Sequence, residues 1–169
     1  MTVIAFKDGV MAADTMLSAF NSQTRAQKII RLPDGSVAGG CGLWRSAYAG
    51  LRWLADGGDP SGAKKDDVPD LKDATILIAR PDGSLWLLEE GVPAFPIMDK
   101  VASVGCGADA ALMAMTLGLS AVEAVAKVTR QDVLCGDPVQ SMEVEAAPEF
   151  SALVTHRRPA RRKRAKARK

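Results

Sequence analysis

The chain has 169 residues, 47% apolar and 25% charged, with a formal net charge of +2, the balance of one ordinary globular domain with a sizeable core. No apolar run reaches the roughly 18 residues of a membrane span, and MTVIAFKDG lacks the basic start and apolar run of a secretory signal. Three widely spaced cysteines, Cys41, Cys106 and Cys135, and a single histidine, His156, argue against a disulfide scaffold or a zinc site, so no metal or other cofactor and a reducing cytoplasm are expected.

The first expected element is a hairpin, with strands at 2–6 and 10–14 around Lys7-Asp8-Gly9. The pattern recurs at Pro33-Asp34-Gly35, between strands 28–32 and 36–40, and at Pro81-Asp82-Gly83, between 75–80 and 84–89. Each fits a three-residue loop, a type I turn closed by a left-handed glycine. The first pair is apolar on both faces, as for strands lying between layers. Residues 43–55 place Trp44, Ala47, Tyr48, Leu51 and Leu54 on one helical stripe, ended by Asp56-Gly57-Gly58. Polar residues 57–73 read as a loop. A strand at 100–104 precedes a helix at 108–117, stopped by Gly118. Ser120 and Glu123 form a capping-box pattern opening a helix to about Thr129. Strands at 139–145 and 150–154 close the domain. This order suits an α+β fold, a four-layer α/β/β/α sandwich spanning residues 1–155.

Residues 156–169 read as a disordered basic tail. Positions 157–169 hold nine of the 22 Lys and Arg and no acid, leaving a body with 13 basic and 20 acidic residues, net −7. Such a tail either solubilises the chain or anchors it weakly to nucleic acid or another polyanion.

The hairpins also suggest chemistry. A three-residue loop centred on Asp8 sets Thr2 opposite Asp14 on one face. The loop centred on Asp34 sets Lys28 opposite Gly40, with Gly42 on the same face. A lysine among Ile29, Ile30 and Leu32 needs a carboxylate partner, and Asp14 is the natural one. Taken singly, Thr2 is an ordinary strand residue and the Asp–Lys pair a structural one; together they suggest a site.

The segment Thr2…Lys7-Asp8-Gly9-Val10-Met11-Ala12-Ala13-Asp14-Thr15 resembles the start of proteasome β subunits and of the bacterial peptidase HslV. Lys28-Ile29-Ile30-Arg31-Leu32 resembles their lysine strand, and Ala38-Gly39-Gly40-Cys41-Gly42 the turn with their oxyanion glycine. Gly105-Cys106-Gly107 is similar to their Gly-Ser-Gly, and Asp132-Val-Leu-Cys135-Gly136 to their Asp-x-x-Ser-Gly. The matches run in order across 2–145 and point to bacterial or bacteriophage homologues of this N-terminal-nucleophile (Ntn) hydrolase family.

The resemblance implies a threonine endopeptidase acting on peptides or unfolded proteins in a homo-oligomeric ring. Thr2, exposed by loss of Met1, would be the nucleophile and its α-amine, titrating near ~7.7, the general base. Lys28 would tune that amine, Asp14 would hold Lys28, and the Gly42 N–H would bind the oxyanion. Asp132, Cys106 and Cys135 would position the amine. Gly40 would floor a roomy substrate pocket, taking large apolar or long basic residues. The cysteines replace serines, which either retunes the site or leaves two buried thiols. With no nucleotide motif here, any unfolding ATPase would be a separate chain. A non-catalytic scaffold using the basic tail is the competing reading.

Overall fold

The computed structural model describes residues 2–19, 22–62 and 67–145. In chain order they form β1 (Val3–Lys7), β2 (Val10–Ala13), β3 (Met16–Ala19), β4 (Ser22–Arg25), β5 (Ile29–Arg31), β6 (Val37–Gly42), α1 (Trp44–Ala55), β7 (Ala74–Ala79), β8 (Leu85–Glu89), β9 (Phe95–Ile97), β10 (Ala102–Gly105), α2 (Ala108–Thr116), α3 (Ala121–Gln131) and β11 (Gln140–Glu143). One antiparallel sheet runs β10-β1-β2-β11 and a second runs β5-β6-β7-β8-β9, while β3 pairs with β4.

Side-chain alternation explains why β1 and β2 are apolar throughout. Ile4, Phe6, Met11 and Ala13 meet Ile29, Val37, Leu77 and Leu85 of the second sheet. Val3, Ala5 and Ala12 point the other way, onto Ala111 and Met115 of α2 and Ala124, Val125 and Val128 of α3. On the far side of the second sheet, Ala38, Ile76, Ile78 and Leu88 pack against Leu51 and Leu54 of α1. The Lys7 ammonium ties β1 to the end of α2 by donating to the carbonyls of Met115 at 3.0 Å and Leu119 at 2.9 Å. The capping box at Ser120 is formed, with Ser120 Oγ accepting from Glu123 N at 3.3 Å and Glu123 Oε2 accepting from Ser120 N at 2.9 Å.

The expected turns hold at two hairpins and fail at the first. Leu32 N donates to Ser36 O at 2.8 Å and Arg80 N to Ser84 O at 2.9 Å, closing three-residue loops with left-handed Gly35 and Gly83. The first hairpin instead pairs Lys7 with Val10 and Ile4 with Ala13, a two-residue loop. Asp8 and Gly9 both have positive φ, 50° and 80°, which is the type I′ turn that Asp-Gly favours. Proline decides the difference. Pro33 and Pro81 fix φ near −65° at the first loop position, which forbids the primed turn, and Lys7 imposes no such limit. Asp14 therefore lies opposite Val3, not Thr2.

On α1, Ala47, Leu51 and Leu54 are buried as expected, but Tyr48 is 53% exposed and pairs with the Trp44 ring at 5.9 Å. The buried face is rotated because Gly50 abuts Ile76 and Leu71, where no side chain fits. Strands β3, β4 and β9 carry no sequence signal. Ser22–Arg25 is exposed throughout and Pro96 sits in β9 at the sheet edge. Met1, the expected strand at 150–154 and the tail at 156–169 lie outside the described residues. Among the described residues, no helix is long and apolar enough to cross a membrane.

Candidate active site

The chain leaves β2 after Ala13, and Asp14 N closes the ladder on Val3 O at 3.2 Å. The Asp14 carboxylate turns inward, fully buried, and accepts from four donors. Oδ1 accepts from Val3 N at 3.0 Å and Lys28 Nζ at 2.9 Å; Oδ2 accepts from Met16 N at 3.2 Å and Gly136 N at 3.1 Å. Lys28 is also fully buried, just before β5, where Gly40 N donates to its carbonyl at 3.0 Å. A buried ion pair persists only when further hydrogen bonds satisfy both ions, and three backbone N–H groups do this for Asp14. The Asp14–Lys28 pairing expected from the sequence is thus present, and Lys28 lies opposite Gly40 as the second hairpin's loop predicts; only the pairing of Thr2 with Asp14 in the first hairpin fails. The carboxylate reaches the main chain of Val3, next to Thr2.

Thr2 is 5% exposed at the head of β1. Its nitrogen donates to Cys106 Sγ at 3.3 Å, and its carbonyl accepts from Cys106 Sγ at 3.3 Å and Gly107 N at 3.5 Å. Gly105 makes this approach feasible: at φ +98°, a Cβ there would collide with the Thr2 carbonyl oxygen. Exposed Cys106 sits on the bend between β10 and α2. Its sulfur lies 3.7 Å from that of buried Cys135, which in turn lies 3.7 Å from Asp132 Oδ2. Asp132 ends α3, and its Oδ1 accepts from Leu134 N at 2.9 Å. Burial, then the negative charge of Asp14 and the neighbouring Cys106, push the Cys135 thiol well above its usual range.

One hydrogen-bonded chain thus links Thr2, Cys106, Cys135 and Asp132, and Gly136 joins it to Asp14 and Lys28. Gly42 stands apart at the exposed end of β6. Its φ of +94° and the Asp73 carbonyl, with which a Cβ would collide, admit only glycine. Its neighbour Cys41 borders Gly105, with Cys41 Cβ 3.5 Å from where a Gly105 Cβ would stand. Burial raises the Cys41 thiol to about 11. Gly40 corrects the expectation of a roomy pocket. A Cβ there would lie 3.2 Å from Ala47 Cβ and Leu51 Cδ1, so α1 fills the space that the missing side chain leaves.

Three contributors escaped the sequence reading. Gln140 Oε1 accepts from Lys28 N at 3.2 Å, and its Nε2 donates to the carbonyls of Asp14 at 3.0 Å and Ala26 at 3.4 Å. Gly136 and Met16 act only through backbone N–H groups. Cys106 and Cys135, 29 residues apart, come together as the resemblance implied, while Cys41 belongs to the second sheet, where its Sγ donates to Thr75 O at 3.6 Å.

No family model matches the chain, and no curated protein matches it. Among solved structures, Thiobacillus denitrificans BPH in complex with epoxomicin is similar at 24% identity and a TM-score of 0.55, covering 85% of this chain and 98% of that one. Another structure of Thiobacillus denitrificans BPH is 22% identical with a TM-score of 0.57, over 88% of this chain and 99% of that one. HslV from Trypanosoma brucei is 14% identical with a TM-score of 0.57, over 85% and 99%. The chain thus has the fold of these structures, an HslV-like fold.

Proposed function

We propose that on this fold the chain works as a threonine endopeptidase, with Thr2 as nucleophile after Met1 is removed. The observation that carries the reading is the setting of the Thr2 nitrogen, 3.3 Å from Cys106 Sγ at the head of a strand whose next N–H is held by the buried Asp14–Lys28 pair. Loss of Met1 turns that nitrogen into a primary amine. The amine accepts the hydroxyl proton as Oγ1 attacks the substrate carbonyl, and then passes it to the leaving amine. Lys28 keeps positive charge near the site, which favours the neutral, proton-accepting amine. Asp14 holds Lys28, and Asp132 orients the thiols that hold the amine. The Gly42 N–H is the oxyanion donor, a contribution of about 3 kcal/mol. Water then hydrolyses the acyl ester, with the same amine as base.

The packing of α1, the two sheets and the α2–α3 pair supports a four-layer α/β/β/α reading. Assembly into a homo-oligomeric ring is supported by Leu112 and Met113 of α2 and Leu117 at its C-cap, which are 41%, 62% and 75% exposed. The substrates are peptides or unfolded proteins, delivered in the cytoplasm with or without a separate ATPase.

Epoxomicin, the ligand of the BPH structure, is the probe. The protein lacking Met1 should cleave fluorogenic peptides and gain one epoxomicin mass. Thr2→Ala should lose both, with stability changed by less than about 1 kcal/mol, since Thr2 contributes little core area. A Thr2→Ala protein that cleaves at the wild-type rate refutes the assigned nucleophile.

A further inference from the structure

Three potential metal ligands from two separate segments meet beside Thr2. Cys106 comes from the bend before α2, and Asp132 and Cys135 from the turn after α3. Their ligand atoms all lie within 4.8 Å of one another. We propose that Cys106, Cys135 and Asp132 bind a thiophilic divalent cation of the zinc type, with the Thr2 nitrogen at the remaining vertex.

The spacing fits the chemistry. Zinc takes sulfur at about 2.3 Å and oxygen or nitrogen at about 2.0 Å in tetrahedral sites. The edges of such a tetrahedron are about 3.8 Å between sulfurs and about 3.5 Å from sulfur to oxygen or nitrogen. Here the sulfurs are 3.7 Å apart, Cys135 Sγ is 3.7 Å from Asp132 Oδ2, and Thr2 N is 3.3 Å from Cys106 Sγ. These three edges are already near the bound values, and the edge from Cys106 Sγ to the Asp132 carboxylate, no longer than 4.8 Å, has at most about 1.3 Å to close, within reach of a side-chain rotation. Leu134 N fixes Asp132 Oδ1 and leaves Oδ2 directed at the thiols, the outer-shell support that metal ligands need. Exposed Cys106 supplies the entry path. Two thiols alone would account for the sulfur contact as a weak hydrogen bond. What favours a cation is that a carboxylate oxygen and the Thr2 nitrogen lie against the same pair of sulfurs, four donor atoms of the kinds zinc takes. A peptide nitrogen cannot donate to a metal, whereas a free α-amine can, so removal of Met1 completes the ligand set.

A consequence rests on the peptidase reading: a cation holding the lone pair of that amine silences the general base. Zinc would then be a reversible inhibitor of the peptidase.

Cobalt(II) titration of the full chain lacking Met1, under a phosphine reductant and without oxygen, tests the site. The expected result is about one equivalent bound, with a thiolate-to-cobalt charge-transfer band and the intense visible bands of a tetrahedral centre. Cys106→Ser and Cys135→Ser should each lose that spectrum, and Cys41→Ser should keep it, with near-ultraviolet circular dichroism confirming that each variant is folded. In the unaltered chain, zinc should slow iodoacetamide labelling of Cys106 at least tenfold, a readout that needs no variant. A missing charge-transfer band, a spectrum that survives in either serine variant, or unprotected Cys106 overturns the site. A protein that binds cobalt but cleaves nothing without metal overturns the peptidase reading alone. An active protein without the cobalt spectrum overturns the metal site alone.

Discussion

Asp14 gathers Lys28 and three backbone N–H groups on one buried carboxylate. Removing one partner of such a pair costs about 3–5 kcal/mol, because the other ion stays buried and uncompensated. Asp14→Asn and Lys28→Met should each shift urea denaturation by that order, and the double variant by clearly less than their sum. Activity should behave alike: each single variant loses kcat/KM, and the double variant loses little more, since the pair acts as one unit. Additive losses in the cycle would make the two mere neighbours. This pairing was legible in the sequence because a lysine embedded in an apolar run demands a carboxylate. Gly136 and Met16 were not legible, because they contribute main-chain N–H groups that every residue possesses.

At the scale of the element, turn chemistry sets the register of β1 against β2. The sequence reading treated Lys7-Asp8-Gly9, Pro33-Asp34-Gly35 and Pro81-Asp82-Gly83 as equivalent, although only the last two carry the proline that excludes a primed turn. The helices were legible to within two residues because periodicity and the Ser120–Glu123 box mark them. The β3–β4 hairpin was not, because β4 buries nothing and so leaves no apolar pattern. The glycines separate conformational strain from steric exclusion. Gly9 has φ +80° with open space where a Cβ would be, so Gly9→Ala should cost about 1 kcal/mol from backbone strain alone. Gly42 combines positive φ with the Asp73 carbonyl, itself on a residue at φ 55°, so Gly42→Ala should cost several times more. Equal shifts in the denaturation midpoints would show that the Asp73 carbonyl yields freely.

The whole molecule is assembled around a strand from the very start of the chain. β1 is clamped between its near neighbour β2 and the distant β10, which ends at Gly105. During synthesis, a ribosome must release about two thirds of the polypeptide before that second flank exists, and domains need their long-range partners before they lock. Until β10 arrives, β1 has one flank unpaired; in the folded chain Thr2 is 5% exposed. On the peptidase reading, removal of the residue before Thr2 is expected to run faster on the nascent chain than after β10 has closed on β1, which would make maturation a race between an aminopeptidase and the arrival of β10. Methionine aminopeptidase added to folded, Met1-bearing protein should trim it far more slowly than the same chain held unfolded in urea the enzyme tolerates. Intact mass over time reads the outcome, and equal trimming of both forms would remove the race. On the same reading, a chain that keeps the preceding residue has no free α-amine at Thr2 and so lacks its general base, however well it has folded.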